Sequence, residues 1–262
     1  MTIPNPLAVV TGASSGIGFE LAKRCVQNGF DLLIAADEAA IHPAANELRT
    51  FGGSVTALEV DLATMEGVDR LYAAVNGRPV GALLANACRG LARAFVDQDF
   101  NDIRRVIDTN VTGTLALIQK IVRVMQARGE GRILVAGSSA GFMPGTYQAV
   151  HNGTKALLDS FSFALRAELR DSGVTVTCLM PGATEAEFFE RPDMTTTKAG
   201  TEKKPSPEEV AKLGFDAMMR GDGDVVAGWS DQLRAAISHV LPSGVVGELP
   251  RRATASGTPS RH

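Results

Sequence analysis

A strand, a glycine-rich turn and a helix open the chain, and they constrain its fold more than any other feature. Residues 7–10 are apolar and largely β-branched, as in a buried strand, and residues 19–26 repeat apolar side chains at helical spacing. The turn between them reads Thr11-Gly12-Ala13-Ser14-Ser15-Gly16-Ile17-Gly18. Its glycines permit a sharp bend and a close approach to a ligand, while the helix start offers free N–H groups and a favourable dipole. The segment is therefore predicted to bind a pyrophosphate.

Strand-like and helix-like segments alternate along the rest of the chain. Strands are predicted at residues 7–10, 31–36, 55–60, 81–85, 132–136, 174–179 and 224–227, and the helices between them include 112–127 and 154–170. Apolar strands between amphipathic helices indicate a parallel sheet that is covered on both faces. We predict an α/β fold, a single Rossmann-type, doubly wound parallel sheet that spans residues 1–246. Residues 247–262 are rich in Arg, Ser, Gly and Pro and are predicted to form a disordered tail.

Composition excludes several classes of function. The net charge of −3 gives no broad basic surface, so no nucleic-acid partner is expected. The sequence has neither a run of about 18 apolar residues nor a signal peptide, so no membrane attachment is expected. The three cysteines are scattered, which favours reduced thiols and a cytoplasmic location. No histidine or cysteine spacing typical of a metal site is present, so no metal is predicted.

The spacing Gly12-x3-Gly16-x-Gly18 after Thr11 resembles the cofactor loop of the short-chain dehydrogenase/reductase family. The resemblance extends to about residue 182 and implies a nicotinamide dinucleotide cofactor. It also implies that the cofactor contacts the turn and several later strand ends. The implied residues are Gly12, Ser14, Ser15, Gly16, Ile17, Gly18, Asp61, Leu62, Asn86, Ala87, Lys155, Pro181, Gly182 and Thr184. Cys88 stands where the family has the glycine of its Asn-Ala-Gly segment.

Asp37 bears on the choice between the two nicotinamide dinucleotides. It follows the second predicted strand, about 20 residues beyond the glycine turn, where an acidic side chain accepts hydrogen bonds from the adenosine ribose and repels a 2′-phosphate. Neither Ser15 nor a sequence neighbour of Asp37 is an arginine or a lysine. The sequence therefore favours NAD(H) over NADP(H).

The resemblance also implies four catalytic positions. Asn110 matches the asparagine that holds a proton-relay water, Ser138 the serine that binds the substrate oxygen, and Lys155 the lysine that binds the nicotinamide ribose. The family's tyrosine lies four residues before that lysine, and here that position is His151. Residues four apart share one helix face, so His151 is expected to point where the tyrosine would.

Three interpretations of His151 are open. It can serve as an acid or base of lower efficiency, because imidazole titrates near neutral pH but is shorter than phenol, and Lys155 disfavours its protonation. The protein can instead be a cofactor-binding variant with little redox activity, or can catalyse another reaction such as isomerisation or elimination.

The expected substrate is a small carbonyl compound or alcohol, and its pocket is predicted to be apolar. Residues 185–205 lie where the family places a lid, and Phe188, Phe189 and Met194 of this segment, with Phe142 and Met143, would form apolar walls. Helices 112–127 and 154–170 each carry more apolar residues than one buried stripe needs. Together with the resemblance, this excess predicts a homodimer or homotetramer.

Overall fold

A computed structural model of the chain describes residues 5–142, 145–182 and 205–227. Its strands are β1 (Leu7–Thr11), β2 (Asp31–Ala36), β3 (Val55–Glu59), β4 (Val80–Ala85), β5 (Gly131–Ala136), β6 (Val174–Pro181) and β7 (Asp224–Ala227). Its α-helices are α1 (Gly16–Gln27), α2 (Ile41–Arg49), α3 (Met65–Ala74), α4 (Phe100–Ile107), α5 (Thr114–Arg128), α6 (Ala149–Glu168) and α7 (Pro207–Arg220). All seven predicted strands are present, most with bounds that differ by one or two residues.

The strands form one parallel sheet in the order β3-β2-β1-β4-β5-β6-β7. Side chains alternate along β1, so that Leu7 and Val9 face a core shared with α3, α5 and α6. Ala8 and Val10 face the opposite core, shared with α1, α2 and α7. The predicted doubly wound α/β sheet is therefore confirmed. The predicted tail and all but the last residue of the predicted lid lie outside the described residues.

The strand order reverses between β1 and β4, and this is where the predicted ligand site lies. From β1 the chain proceeds outward to β2 and β3, and it then returns to β4 on the other side of β1. The loops that leave the carboxyl ends of β1 and β4 therefore diverge and leave a crevice between them. The glycine turn follows β1 and Asn86 follows β4, so both border this crevice.

The helix bounds differ from the prediction in three places that matter for the site. The first helix begins at Gly16 rather than Phe19, so the glycine turn itself supplies its first turn. The predicted start at residue 112 is wrong, because residues Asp108–Gly113 form a π-helical turn before α5 begins. The predicted start at residue 154 is also wrong, because α6 begins at Ala149 and thus includes His151. Irregular turns of this kind lack a distinct hydrophobic period, and a π turn often accompanies a functional site.

Gly18 is expected to be essential for this arrangement, because a Cβ at this position would overlap the carbonyl oxygen of Gly12 and lie 2.5 Å from Asn86 Nδ2. We predict that Gly18→Ala lowers the free energy of unfolding in urea by about 1 to 3 kcal/mol. Gly153→Ala is the matched control, because Gly153 lies in α6 with nothing within 4 Å of a Cβ. The control should raise the stability by about 0.5 to 1 kcal/mol. Equal stability of the two variants would contradict the close approach.

Candidate active site

The glycine turn has the conformation that a bound pyrophosphate requires. Gly12 and Gly16 have φ angles of 65° and 56°, which side-chain-bearing residues rarely adopt. A Cβ at Gly16 would meet nothing within 4 Å, so the helix start faces open space. Ser15 at the N-cap of α1 makes no side-chain capping bond, and the N–H groups of the first turn therefore stay available to an anion. The residues present fit the phosphates of a dinucleotide.

Hydrogen bonds tie the end of β4 to the end of β1. The Thr11 hydroxyl accepts from the backbone N–H groups of Asn86 and Ala87, each at 3.0 Å. The Asn86 amide donates to the carbonyl oxygens of Thr11 and Gly12 at 3.3 and 3.2 Å. Asn86 therefore holds the glycine turn in shape. The sequence motif includes Thr11 without predicting its role, which is to accept, through its hydroxyl, the hydrogen bonds that join the two strand ends.

Asn110 is completely buried in the π-helical turn and fixes the loop that follows β4. Its Oδ1 accepts from the backbone N–H of Arg89 at 2.7 Å, and its Nδ2 donates to the Arg89 carbonyl oxygen at 2.9 Å. Nδ2 also donates to the Thr154 hydroxyl at 3.1 Å, and Thr154 in turn donates to the backbone oxygen of His151 at 2.7 Å. One buried amide thus connects the β4 loop to α6.

His151 lies in the first turn of α6 against the same loop. Its Nδ1 is 3.4 Å from the Arg89 carbonyl oxygen. A carbonyl oxygen only accepts hydrogen bonds, so the neutral ring carries its proton on Nδ1 and presents Nε2 as an acceptor. Burial, and then the charge of Lys155, lower the pKa of His151 to about 4. The predicted direction of this shift is confirmed, and burial is its larger cause. At neutral pH the imidazole is uncharged.

Ser138, Lys155 and Asp159 complete the buried part of the site. Lys155 Nζ donates to the Ala136 carbonyl oxygen at the end of β5 at 2.6 Å. The Ser138 hydroxyl donates to the Pro181 carbonyl oxygen at the end of β6 at 3.3 Å. The backbone N–H of Ser138 donates to Asp159 Oδ1 at 3.2 Å. Together with the Asn110 contacts, these bonds bring the four predicted catalytic residues to the carboxyl ends of β4, β5 and β6.

Asp159 did not figure in the sequence prediction. It is 2% exposed, and burial raises the pKa of its carboxyl group to about 6. Its Oδ2 has no hydrogen-bond partner among the described residues. Gly137 and Gly141 leave room for it, because a Cβ at either position would overlap a carboxylate oxygen of Asp159. The available signal was the spacing, since Asp159 lies four residues after Lys155 on the same face of α6.

Asp37 and Asp61 lie at the end of the crevice where the adenosine is expected, and both contact arginines. Asp37 Oδ2 pairs with Arg89, and it lies 3.7 Å from Nη2 of Arg105. Arg105 also donates to Asp61 Oδ2 at 2.9 Å. No sequence neighbour of Asp37 is an arginine, but the structure places two arginines beside its carboxylate, so the inference that no cation is near Asp37 is wrong. Arg89 comes from the β4 loop and Arg105 from α4, and tertiary folding brings them to the end of β2.

Some of the remaining predicted site residues lie within the described residues, and others lie outside them. Leu62 is buried beside the π-helical turn, where a Cβ on Gly113 would overlap its carbonyl oxygen, and Ser14 donates to Glu38 at 2.5 Å. Gly182 follows Pro181 at the carboxyl end of β6. Outside the described residues lie Thr184, Met143, Phe188, Phe189 and Met194.

Within residues 5–142, 145–182 and 205–227, no three His, Cys, Asp or Glu side chains are grouped to hold a metal, and no helix is long and apolar enough to cross a membrane.

The doubly wound parallel sheet, with a glycine turn after β1, places the chain in the Rossmann class of α/β folds. Residues 6–195 match the family model described as short chain dehydrogenase. The chain belongs to this family and is an NAD(P)-dependent oxidoreductase.

Similar proteins cover most of the chain. An uncharacterised oxidoreductase of Myxococcus xanthus is 29% identical over 94% of this chain and 96% of its own. A very-long-chain 3-oxoacyl-CoA reductase of Neurospora crassa is 32% identical over 64% of this chain, and the match spans 53% of the reductase. Among solved structures, a short-chain dehydrogenase from Sphingobium yanoikuyae in complex with NADPH is 27% identical, with a TM-score of 0.79. This likeness covers 90% of this chain and 94% of that one.

The pH dependence of stability tests the state of His151. Its pKa is about 4 in the folded chain against an ordinary value of 6.5, so the unfolded chain binds more protons between these values. Stability should therefore fall as the pH falls from about 6.5 to 4, by about 2 to 3 kcal/mol from this residue. Urea unfolding of the parent and of His151→Gln at several pH values measures this contribution as the difference between the two pH curves. Asp159, whose pKa shift acts in the opposite sense, is present in both proteins and cancels in the difference. Parallel pH curves for the two proteins would contradict a buried neutral imidazole.

Proposed function

We propose that the protein interconverts a ketone or aldehyde and the corresponding alcohol, prefers NAD(H), and acts on a hydrophobic substrate. The observation that carries the proposal is the convergence of Asn110, Ser138, His151 and Lys155 at the carboxyl ends of the central strands. These are the residue types and positions that the family uses for carbonyl and alcohol chemistry, with the single change of histidine for tyrosine.

When bound, the nicotinamide supplies or accepts the hydride at the carbon that bears the substrate oxygen. The Ser138 hydroxyl then donates to that oxygen in place of its 3.3 Å bond to the Pro181 carbonyl. Lys155 keeps one proton on the Ala136 carbonyl and has two further N–H donors for the nicotinamide ribose. Asn110 holds the β4 loop and His151 in their relative positions.

His151 transfers the proton, and the direction of the reaction decides how well it does so. In alcohol oxidation, neutral Nε2 is the acceptor that the step requires. In carbonyl reduction the ring must first be protonated on both nitrogens. With a pKa of about 4, only about one molecule in a thousand is protonated at pH 7. We therefore expect slow reduction at neutral pH and faster reduction in acid.

The preference for NAD(H) rests on Asp37, and the NADPH complex of the Sphingobium yanoikuyae dehydrogenase supports only the broader group NAD(P). A ketone substrate is in keeping with the 3-oxoacyl group in the name of the Neurospora crassa relative. We include in the proposal one domain over residues 1–246 with a lid at residues 185–205 and a disordered tail at 247–262. The free thiols of Cys25, Cys88 and Cys178 are in keeping with a cytoplasmic location.

A homodimer or homotetramer is also part of the proposal. The structure indicates which apolar residues of α5 and α6 are left for an interface. On α5, the chain's own core buries Leu117, Ile118, Ile121, Val122 and Met125. These residues are covered by the chain itself, so α5 has fewer apolar residues left for an interface than its sequence indicates. On α6, Leu157 and Phe163 are exposed by 43% and 39%. These two side chains are the ones that a second copy of the chain would cover.

The substitution His151→Tyr tests the role of this position. Tyrosine restores a longer acid beside Lys155, so ketone reduction at pH 7 should increase by on the order of 10²-fold. Absorbance of NADH, measured with a panel of hydrophobic ketones between pH 5 and 8, reports the rate. The parent should become faster as the pH falls, in line with the protonation of His151, whereas the tyrosine variant should not follow this curve.

His151→Phe is the matched control for that experiment, because it adds the same ring without the hydroxyl. It should reduce ketones no faster than the parent. A tyrosine variant no faster than the phenylalanine variant would show that position 151 does not limit proton transfer. A parent that binds NADH in a titration but turns over no ketone or alcohol at any pH would contradict the proposed activity.

Light scattering at micromolar concentration tests the assembly. The proposal predicts a particle of two or four times the 27.6 kDa chain mass. Leu157→Glu should shift it toward the monomer, because a charge would be buried in the interface. Leu213→Glu is the matched control, since Leu213 is 44% exposed on α7. A 27.6 kDa parent particle, or equal dissociation by both variants, would contradict an interface at α6.

A further inference from the structure

Two arginines surround the carboxylate on which the preference for NAD(H) rests. Arg89 pairs with Asp37 from the loop after β4, while Arg105 lies 3.7 Å from the same oxygen and 2.9 Å from Asp61. Asp37 follows β2 and Asp61 follows β3, on one side of β1, whereas β4 lies on the other side. The Arg89 side chain therefore crosses the carboxyl end of β1 to reach Asp37.

The charges of this group balance. Asp37 and Asp61 carry two negative charges, and Arg89 and Arg105 carry two positive charges. Asp37 is therefore not the isolated anion that the sequence suggests, and its repulsion of a 2′-phosphate is largely offset within the group. The side chains are a third to a half exposed, so a ligand in the crevice can reach them.

Arg89 has N–H donors that its ion pair with Asp37 does not use. Its guanidinium group carries five N–H donors, and its Nε is buried without a hydrogen-bond partner among the described residues. Guanidinium groups bind phosphate through paired hydrogen bonds. A carboxylate that is paired with the guanidinium group uses the same N–H donors and so blocks phosphate binding. Asp37 thus holds the cation that a 2′-phosphate would need.

We propose that Arg89 and Arg105 are specificity residues for the cofactor's 2′ position, and that loss of the Asp37 charge alone converts the site to one that prefers a 2′-phosphate. No arginine has to be added, because the fold already supplies two. The inference rests on the proposed use of this crevice for the adenosine of the cofactor.

Calorimetric binding of NADH and NADPH, and of ADP and 2′,5′-ADP as probes without nicotinamide, tests the proposal without any measurement of turnover. Asp37→Asn should tighten the binding of NADPH and 2′,5′-ADP by about tenfold or more, and it should weaken the binding of NADH and ADP, whose ribose loses a hydrogen-bond acceptor. The gain should shrink as the ionic strength rises. In Asp37→Asn combined with Arg89→Ala and Arg105→Ala, the gain should disappear.

Asp31→Asn is the matched control. Asp31 pairs with Arg78 at 2.6 Å at the opposite end of β2, so its substitution removes the same charge away from the crevice. It should leave the affinity for both dinucleotides unchanged. NADH binding by the parent together with an unchanged NADPH affinity in Asp37→Asn would overturn the inference alone, as would a gain that survives the loss of both arginines. A parent that binds neither dinucleotide would overturn the proposed function and the inference with it.

Discussion

The arrangement of the site depends on one buried amide. Asn110 bonds both the N–H and the carbonyl group of Arg89, and its second N–H reaches Thr154 on α6. A buried amide that loses one of these partners costs about 1 to 3 kcal/mol, so the loop after β4 and the start of α6 cannot shift independently. Asn110 lies in the π-helical turn at the junction of α4 and α5, where it is buried.

Burial shapes the electrostatics of the site more than any single charge pair. Lys155 is buried, and the pKa values of His151 and Asp159, which lie four residues before and after it on the same helix, are both shifted toward the neutral form. Burial and Lys155 lower the pKa of His151 to about 4, and burial raises the pKa of Asp159 to about 6. At neutral pH His151 is therefore uncharged, whereas Asp159 is still mostly ionised and its carboxylate faces the Lys155 ammonium group as an opposite charge. An ammonium group lowers the pKa of either residue, but with opposite consequences: a tyrosine becomes a stronger acid that still holds its proton at neutral pH, whereas a histidine with a pKa of about 4 has already lost it.

Local pattern was enough to predict the sheet, because its strands are apolar runs whose carboxyl ends share one edge. The glycine turn and Asp37 followed from that pattern, while Asp61, Asn86 and Ser138 came from the resemblance to the short-chain dehydrogenase/reductase family. The same reasoning failed for Arg89, Arg105 and Asp159. The arginines look like ordinary surface charges in a loop and on a helix, and only the fold brings them to Asp37. The burial of Asp159 depends on two glycines in a different segment, which no helical pattern reveals.

Arg89 contacts both ends of the site, one through its backbone and the other through its side chain. Its backbone carbonyl group serves His151 and Asn110 at the catalytic end, and its guanidinium group serves Asp37 at the adenosine end. Any amino acid other than proline can supply the backbone contacts, but only a long cation can supply the second. In our proposal the chemistry at position 151 is insensitive to which side chain stands at 89, while recognition of the cofactor's 2′ position depends on that side chain. The two functions can therefore vary separately in one loop without a change in the fold that holds them together.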